Sequence, residues 1–248
     1  PRVGPLRRKM LKDVIAFYGR IPPRSGLSAE ARFRVAETWF QIAYLSRSLD
    51  EFQQSRHAFS MAITALDTLV AEHPTQTKYR ATLAHFQLTA AGLNFDQLHN
   101  YVEAEKLSRR SSELYGELAH SSPTEKLWTT AQANSLHKLS TALAALGKRD
   151  EAIGAATRAL DILDKLPDAN SYERAQILYS SARWRSSIPE VEDQLRRAIA
   201  EYRNFFSTDG AKKQYVLYAN YAGRLHAIAT RYIGNRHPDE AEKLLDES

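Results

Sequence analysis

A chain of 248 residues with 43% hydrophobic side chains is long enough to bury a substantial core. Its 25% charged residues and nine prolines exclude a disordered composition, and the absence of cysteine excludes disulfides and thiol chemistry and suits a reducing, cytoplasmic setting. The formal charge of +5 is local: seven Lys and Arg side chains within residues 1–24 face Asp13 alone, leaving 27 basic and 28 acidic ones elsewhere, so the body is not a nucleic-acid or membrane-surface binder by charge.

Alanine, leucine, glutamate, lysine and arginine dominate, and alternating β-branched runs are absent, which predicts an all-α chain. A basic first helix over about 5–20 places Leu6, Met10, Val14 and Phe17 on one face, and Ile21-Pro22-Pro23 stops it. Ser28 is the expected N-cap of a helix over about 29–47. After a turn at Ser48–Asp50 a long helix of about 51–72 closes at His73-Pro74. The apolar stretch inside it is interrupted by Asp67, and no run reaches transmembrane length, so membrane insertion is not expected.

The next pair is predicted over about 77–97 and 101–119. Ser122-Pro123-Thr124-Glu125 then reads as a capping box, opening a third pair over about 124–146 and 150–165. Gly147 supplies the left-handed residue between those two helices, and Asp150 the next cap. A fourth pair spans about 171–185 and 189–206. A fifth begins after Asp209-Gly210, runs over about 212–233, and is cut short in its second helix from Glu240. The chain lacks an initiating methionine and reads as a piece of a longer protein. The breaks are short and none is a flexible linker, so residues 1–248 are expected to form a single domain: a basic helix and linker over 1–24, then helix pairs over 25–248.

A sparse pattern recurs along these pairs. The first shows Trp39, Ile42 and Ala43, then Ser55, Phe59, Ala62 and Pro74; the second Leu88, Ala91, Gly92 and Phe95, then Ala104, Ser108, Ser111 and Pro123. The third shows Leu136, Leu139, Ser140 and Leu143, then Ala152, Ala156, Ala159 and Pro167. The fifth shows Leu225, Ile228, Ala229 and Tyr232, then Ala241 and Leu245, and the fourth, around Leu178 and Leu195, is degenerate. These residues resemble the tetratricopeptide repeat family. The resemblance implies a right-handed superhelical solenoid of antiparallel helix pairs, about five repeats and about eleven helices. Small residues at the contacts let helices approach to about 8–10 Å, and Gly92 is the expected closest approach, so that Gly92→Leu would overpack it. The residue opening each second helix falls at Ser55, Ala104, Ala152, Val191 and Ala241, steps of 49, 48, 39 and 50. The family's usual step is about 34, so both helices of each pair must be longer. More faintly, Leu11 to Tyr18, Arg34 to Glu37 and Leu69 to Pro74 resemble the helical-repeat tails of bacterial Hanks-type serine/threonine kinases; none of the kinase's catalytic motifs occurs here.

Catalytic chemistry is not expected. The eight histidines form no tight ligand pair, no phosphate-binding glycine loop or nucleophile elbow occurs, and carboxylate pairs such as Asp161/Asp164 suit solvated helix faces. No metal or cofactor is implied. The family resemblance instead implies that the first helix of each pair lines a concave groove. On that stripe lie Glu37, Phe40, Tyr44 and Arg47, then Phe86 and Asp96, then Asn134 and His137, then Gln176, Arg183 and Trp184, and last His226. Aromatic and arginine side chains are the commonest anchors for partners. The alternative for Phe40, Tyr44, Phe86 and Trp184 is that they pack between hairpins. At the places where some family members grip a peptide's C-terminal carboxylate, only Asn134 and Lys138 suit one, so a peptide with apolar anchors fits better than a captured C-terminus. Two functions follow: a protein-interaction scaffold within a larger bacterial signalling protein, or a structural module whose exposed edge forms a homo-oligomer.

Overall fold

Apolar side chains at three- and four-residue spacing wind the chain into helices, and short polar turns reverse it between them. The computed structural model describes residues 3–18, 26–166, 171–185 and 188–206, with Gly223 and Thr230. These hold nine helices and, among the described residues, no strand: α1 (Val3–Tyr18), α2 (Ala29–Ser48), α3 (Phe52–Glu72), α4 (Thr77–Asp96), α5 (Tyr101–Ser121), α6 (Lys126–Ala145), α7 (Arg149–Asp164), α8 (Ser171–Ala182) and α9 (Ile188–Phe206). The two further helices expected over 212–233 and from Glu240 lie outside the described residues, apart from the helical Gly223 and Thr230. The sequence places no boundary after α6, yet the chain divides into two compact units, Pro1–Leu146 and Gly147–Ser248.

In the first unit, α2 with α3 and α4 with α5 form hairpins, α3 packs on α4, α5 on α6, and α4 also touches α6. Small residues carry the contacts: Ala36, Ala43 and Ala62 are wholly buried, and Ser55 Oγ donates to the Ala43 carbonyl at 2.8 Å. Ser111 Oγ likewise donates to the Ala84 carbonyl at 2.8 Å. Leu66 and Leu69 of α3 and Leu83 and Leu93 of α4 fill the space between, each burial contributing about 1.5–3 kcal/mol. An ion pair ties the start of the first helix to the end of the second in both hairpins, Arg32 with Glu72 and Arg80 with Glu117. Such exposed pairs contribute little, about 0–1 kcal/mol each.

The connections repeat as well. Asp50, His99 and Gly147 hold φ of 60°, 51° and 77°, one left-handed residue after α2, α4 and α6. Their spacing matches that of the small residues opening the second helices. Gly147 thus takes the conformation expected of it, whereas two non-glycine residues accept the strain at the equivalent places.

Caps follow the sequence in part. Ser28 accepts from the Ala31 amide at 3.3 Å, as expected, and Asn100 caps α5 by accepting from the Glu103 amide at 3.2 Å. Ser122 does not open α6: its amide donates to the Leu118 carbonyl, so it ends α5. A turn over 122–125 follows and α6 starts at Lys126, with Glu125 at its cap. Lys148 rather than Asp150 stands at the cap of α7, and Asp150 occupies the first turn, where a negative charge favours the helix dipole. Helix α1 shows the expected stripe, but Leu6, Met10, Val14 and Phe17 face solvent, while Ile15, on another side, packs on the unit's core.

Gly92 is buried yet not a close approach: a Cβ there would meet only Asp96 Oδ2, at 3.9 Å. The tight glycine is Gly116 of α5, where a Cβ would fall 2.6 Å from Nε2 of Gln132 on α6. Gly92→Ala is therefore expected to stabilise the first unit by about 0.5–1 kcal/mol, as glycine leaves a helix interior. Urea unfolding at constant m-value measures it; a loss of stability would show that the backbone contact is tighter than its geometry.

In the second unit, α8 and α9 form a hairpin and α7 packs on α8. Alanines again line the contacts (Ala156, Ala159, Ala175, Ala198), and Ser181 Oγ donates to Gln194 Oε1 at 2.8 Å within the α8–α9 contact. Arg174 links the three helices, donating to the Leu163 carbonyl and pairing with Asp164 and Glu201.

Candidate interaction groove

The first helices of the first two pairs, α2 and α4, enclose a groove of about 580 Å³. Its floor is aromatic. Phe40 and Phe86 stack with centroids 3.8 Å apart and planes 8° from parallel, and both are buried. Phe59 meets Phe40 edge to face at 5.5 Å, and His85 lies against Phe40 at 5.3 Å. Tyr44, 43% exposed, extends the aromatic surface along α2, its ring 5.0 Å from Phe40.

The rim is polar and neutral. Arg34, Glu37, Thr38 and Gln41 come from α2, and Thr82 and His85 from α4. Arg34 is held on its own helix by Glu37 at 2.8 Å and Glu30 at 3.3 Å, so it does not offer a carboxylate clamp. Burial of the imidazole against Phe40 pushes the His85 pKa below its ordinary 6.5, although an edge of the ring remains in solvent.

A histidine with a depressed folded pKa binds fewer protons than in the unfolded chain between the two pKa values, so stability rises with pH across that window. Stability should then fall as pH drops below about 6.5, and His85→Gln should remove that part of the slope. Urea midpoints of the two chains at pH 7.5 and pH 5 measure the difference; parallel losses would place the titration elsewhere.

Of the residues expected on the groove, Phe40 and Phe86 are brought together, but as a buried stack between hairpins rather than as two free anchors. Tyr44 stands beside them with its surface open. Arg47, half-buried, and Asp96, exposed, lie in the last turns of α2 and α4, outside this lining. Asn134 and His137 sit half-buried on α6, also outside it. In the second unit Gln176 is half-buried on α8, Arg183 is exposed just after it, and the Trp184 carbonyl accepts from Arg149 Nε. His226 lies outside the described residues.

The lining adds Arg34, Thr38, Gln41, Thr82 and His85 to the expected stripe. The 49-residue step between the first two pairs carries Glu37 onto Phe86, both already on the expected stripe, and so gives no signal for the five added residues.

No metal-holding cluster of histidine and carboxylate occurs among the described residues, and no described helix is long and apolar enough to cross a membrane. No family model and no curated protein matches the chain. Solved structures similar to it include the following two. The crystal structure of MamA superposes with a TM-score of 0.41 at 16% identity, over 78% of this chain and 88% of that one. The crystal structure of BtubC (BKLC) from P. vanneervenii superposes with a TM-score of 0.60 at 16% identity, over 98% of this chain and 87% of that one. Neither supports the resemblance to kinase tails. At that identity the likeness to BtubC concerns backbone architecture alone, and the described residues form an all-helical arrangement of hairpins whose backbone course resembles that of BtubC.

Proposed function

We propose that this chain is a non-catalytic protein-interaction scaffold of the tetratricopeptide kind, its helix pairs stacking in that family's right-handed superhelical sense. Its ligand is a protein segment laid along α2 and α4. The observation that carries this reading is the groove itself, an aromatic floor of about 580 Å³ with Tyr44 exposed beside it and a neutral rim. Such a surface rewards an apolar side chain set in an extended or helical segment, and not a free carboxylate, because Arg34 is already paired. The setting that fits best is a regulatory segment of a larger bacterial signalling protein in the cytoplasm.

The test is site-specific photocrosslinking from Gln41 and from Thr82, on the two walls of the groove. In cells, both positions should crosslink the same partner protein, and Tyr44→Ala should abolish the adduct while the chain stays folded, at a loss of about 0.5–1.5 kcal/mol from its ring contact with Phe40. Adducts only between copies of this chain, with light scattering showing concentration-dependent association, would favour the homo-oligomeric structural role instead. No adduct at either wall overturns the groove as a binding surface.

A further inference from the structure

The first unit holds a second trough, of about 600 Å³, between α3 and α5, with Ala90 and Asn94 of α4 lining its base. Phe59 lines this trough and Phe40 the aromatic groove, and their rings meet edge to face, so one aromatic layer separates the two depressions. Helices α3 and α5 each pack antiparallel to α4 and so run in the same direction. The lining on α3 extends from Gln53 to Asp67, about 21 Å at the helical rise per residue, the length of about six extended residues.

Asn94 is 2% exposed. Its Nδ2 donates to the Ala90 carbonyl at 2.9 Å, which settles the orientation of the amide. Oδ1 is left as a buried acceptor with no hydrogen-bond donor among the described residues, on a side chain that lines the trough. A buried acceptor without a donor is costly, and a donor brought by an occupant would remove that cost.

The charged walls favour one sign of occupant. Asp67 is held across the trough by Arg110 at 2.6 Å and 3.3 Å, and Glu103 faces Lys106 at 3.9 Å. Both acidic groups are thus answered from within. Arg56 faces no anion among the described residues, and it leaves the lining with one net positive charge.

We propose that the α3–α5 trough binds an extended acidic peptide segment, one main-chain N–H donating to Asn94 Oδ1 and one carboxylate accepting from Arg56. An extended backbone fits because the lining runs about 21 Å along α3 and the residue with the unanswered acceptor belongs to that lining. This site is independent of the aromatic groove and stands or falls separately from it.

The test is a ¹⁵N-resolved titration of the full chain with the hexapeptide acetyl-Ala-Glu-Ala-Glu-Ala-Ala-amide, and with its counterpart carrying lysine for glutamate. The glutamate peptide should shift the Asn94 side-chain amide and the backbone amides near Arg56 and Lys106, saturably, and the lysine peptide should not. Arg56→Glu, an exposed position, should weaken binding about tenfold with the melting temperature unchanged. Asn94→Leu should abolish the shifts without lowering the melting temperature, and Tyr44→Ala should leave them as they are. Equal binding of the lysine peptide, shifts confined to Phe40 and Phe86, indifference to Arg56→Glu, or no saturable shift would each overturn the proposal.

Discussion

Replacing Phe86 by alanine is expected to lower the stability of the first unit by about 3–5 kcal/mol, the largest loss foreseen for a single substitution here. The ring is 3% exposed and stacked flat on Phe40 of α2 at 3.8 Å, with His85 of its own helix beside it, so its removal leaves a cavity against the Phe40 ring. Relaxation cannot close that space cheaply, because Phe40 is itself held by Phe59 and Tyr44. Phe40→Ala should cost a similar amount. The double substitution should fall short of the sum by about 0.5–1.5 kcal/mol, the part of the stacking energy that goes beyond burial. Chemical unfolding of the four chains measures the cycle, and a loss below about 1 kcal/mol for Phe86→Ala would mean that the stack is absent in solution.

Gln87 should behave in the opposite way. It is fully buried on α4, and neither Oε1 nor Nε2 has a hydrogen-bond partner among the described residues. Each such atom forfeits its bonds to water on folding, and the penalty is about 1–3 kcal/mol per group. Methionine has nearly the same length and flexibility without those polar atoms, so Gln87→Met should stabilise the first unit by about 2 kcal/mol. Thermal unfolding of the two chains under identical conditions is the measurement. A lower melting temperature would show that an internal water answers the amide, since methionine would then expel a partner rather than relieve a debt.

Most helix positions were legible from punctuation and period. The ranges read from Pro, Gly and the apolar spacing agree with α2 to α9 to within a few residues at each end. The exceptions are local. Ser122 carries a capping signature, but its backbone had already been claimed by the end of α5, and a side-chain pattern does not show which of two adjoining helices it serves. Asn100, followed by Glu103, carries the equivalent signal and does cap.

The candidate groove was legible to a different depth. Periodicity places Phe40 and Phe86 on the inner stripe, since it fixes the face of each helix. It says nothing of the sliding register between two helices, and that register decides whether two aromatics stand apart to receive a ligand or stack on each other. The same blindness affected the glycines: Gly92 and Gly116 are both mid-helix, and only the register of α5 on α6 shows that Gly116 is the crowded one. The α3–α5 trough was not legible at all, because Asn94 differs from any buried asparagine only in where its second amide atom points.

The strained turns have a consequence for how the chain reaches its structure. Asp50 and His99 reverse the chain so tightly that every packed pair of helices in the first unit is adjacent or next but one in order. No segment of that unit waits for a partner from its far end, so the loop entropy to be surrendered before contacts form is small. Refolding of this unit should accordingly be fast, with hairpins zipping outward from whichever forms first.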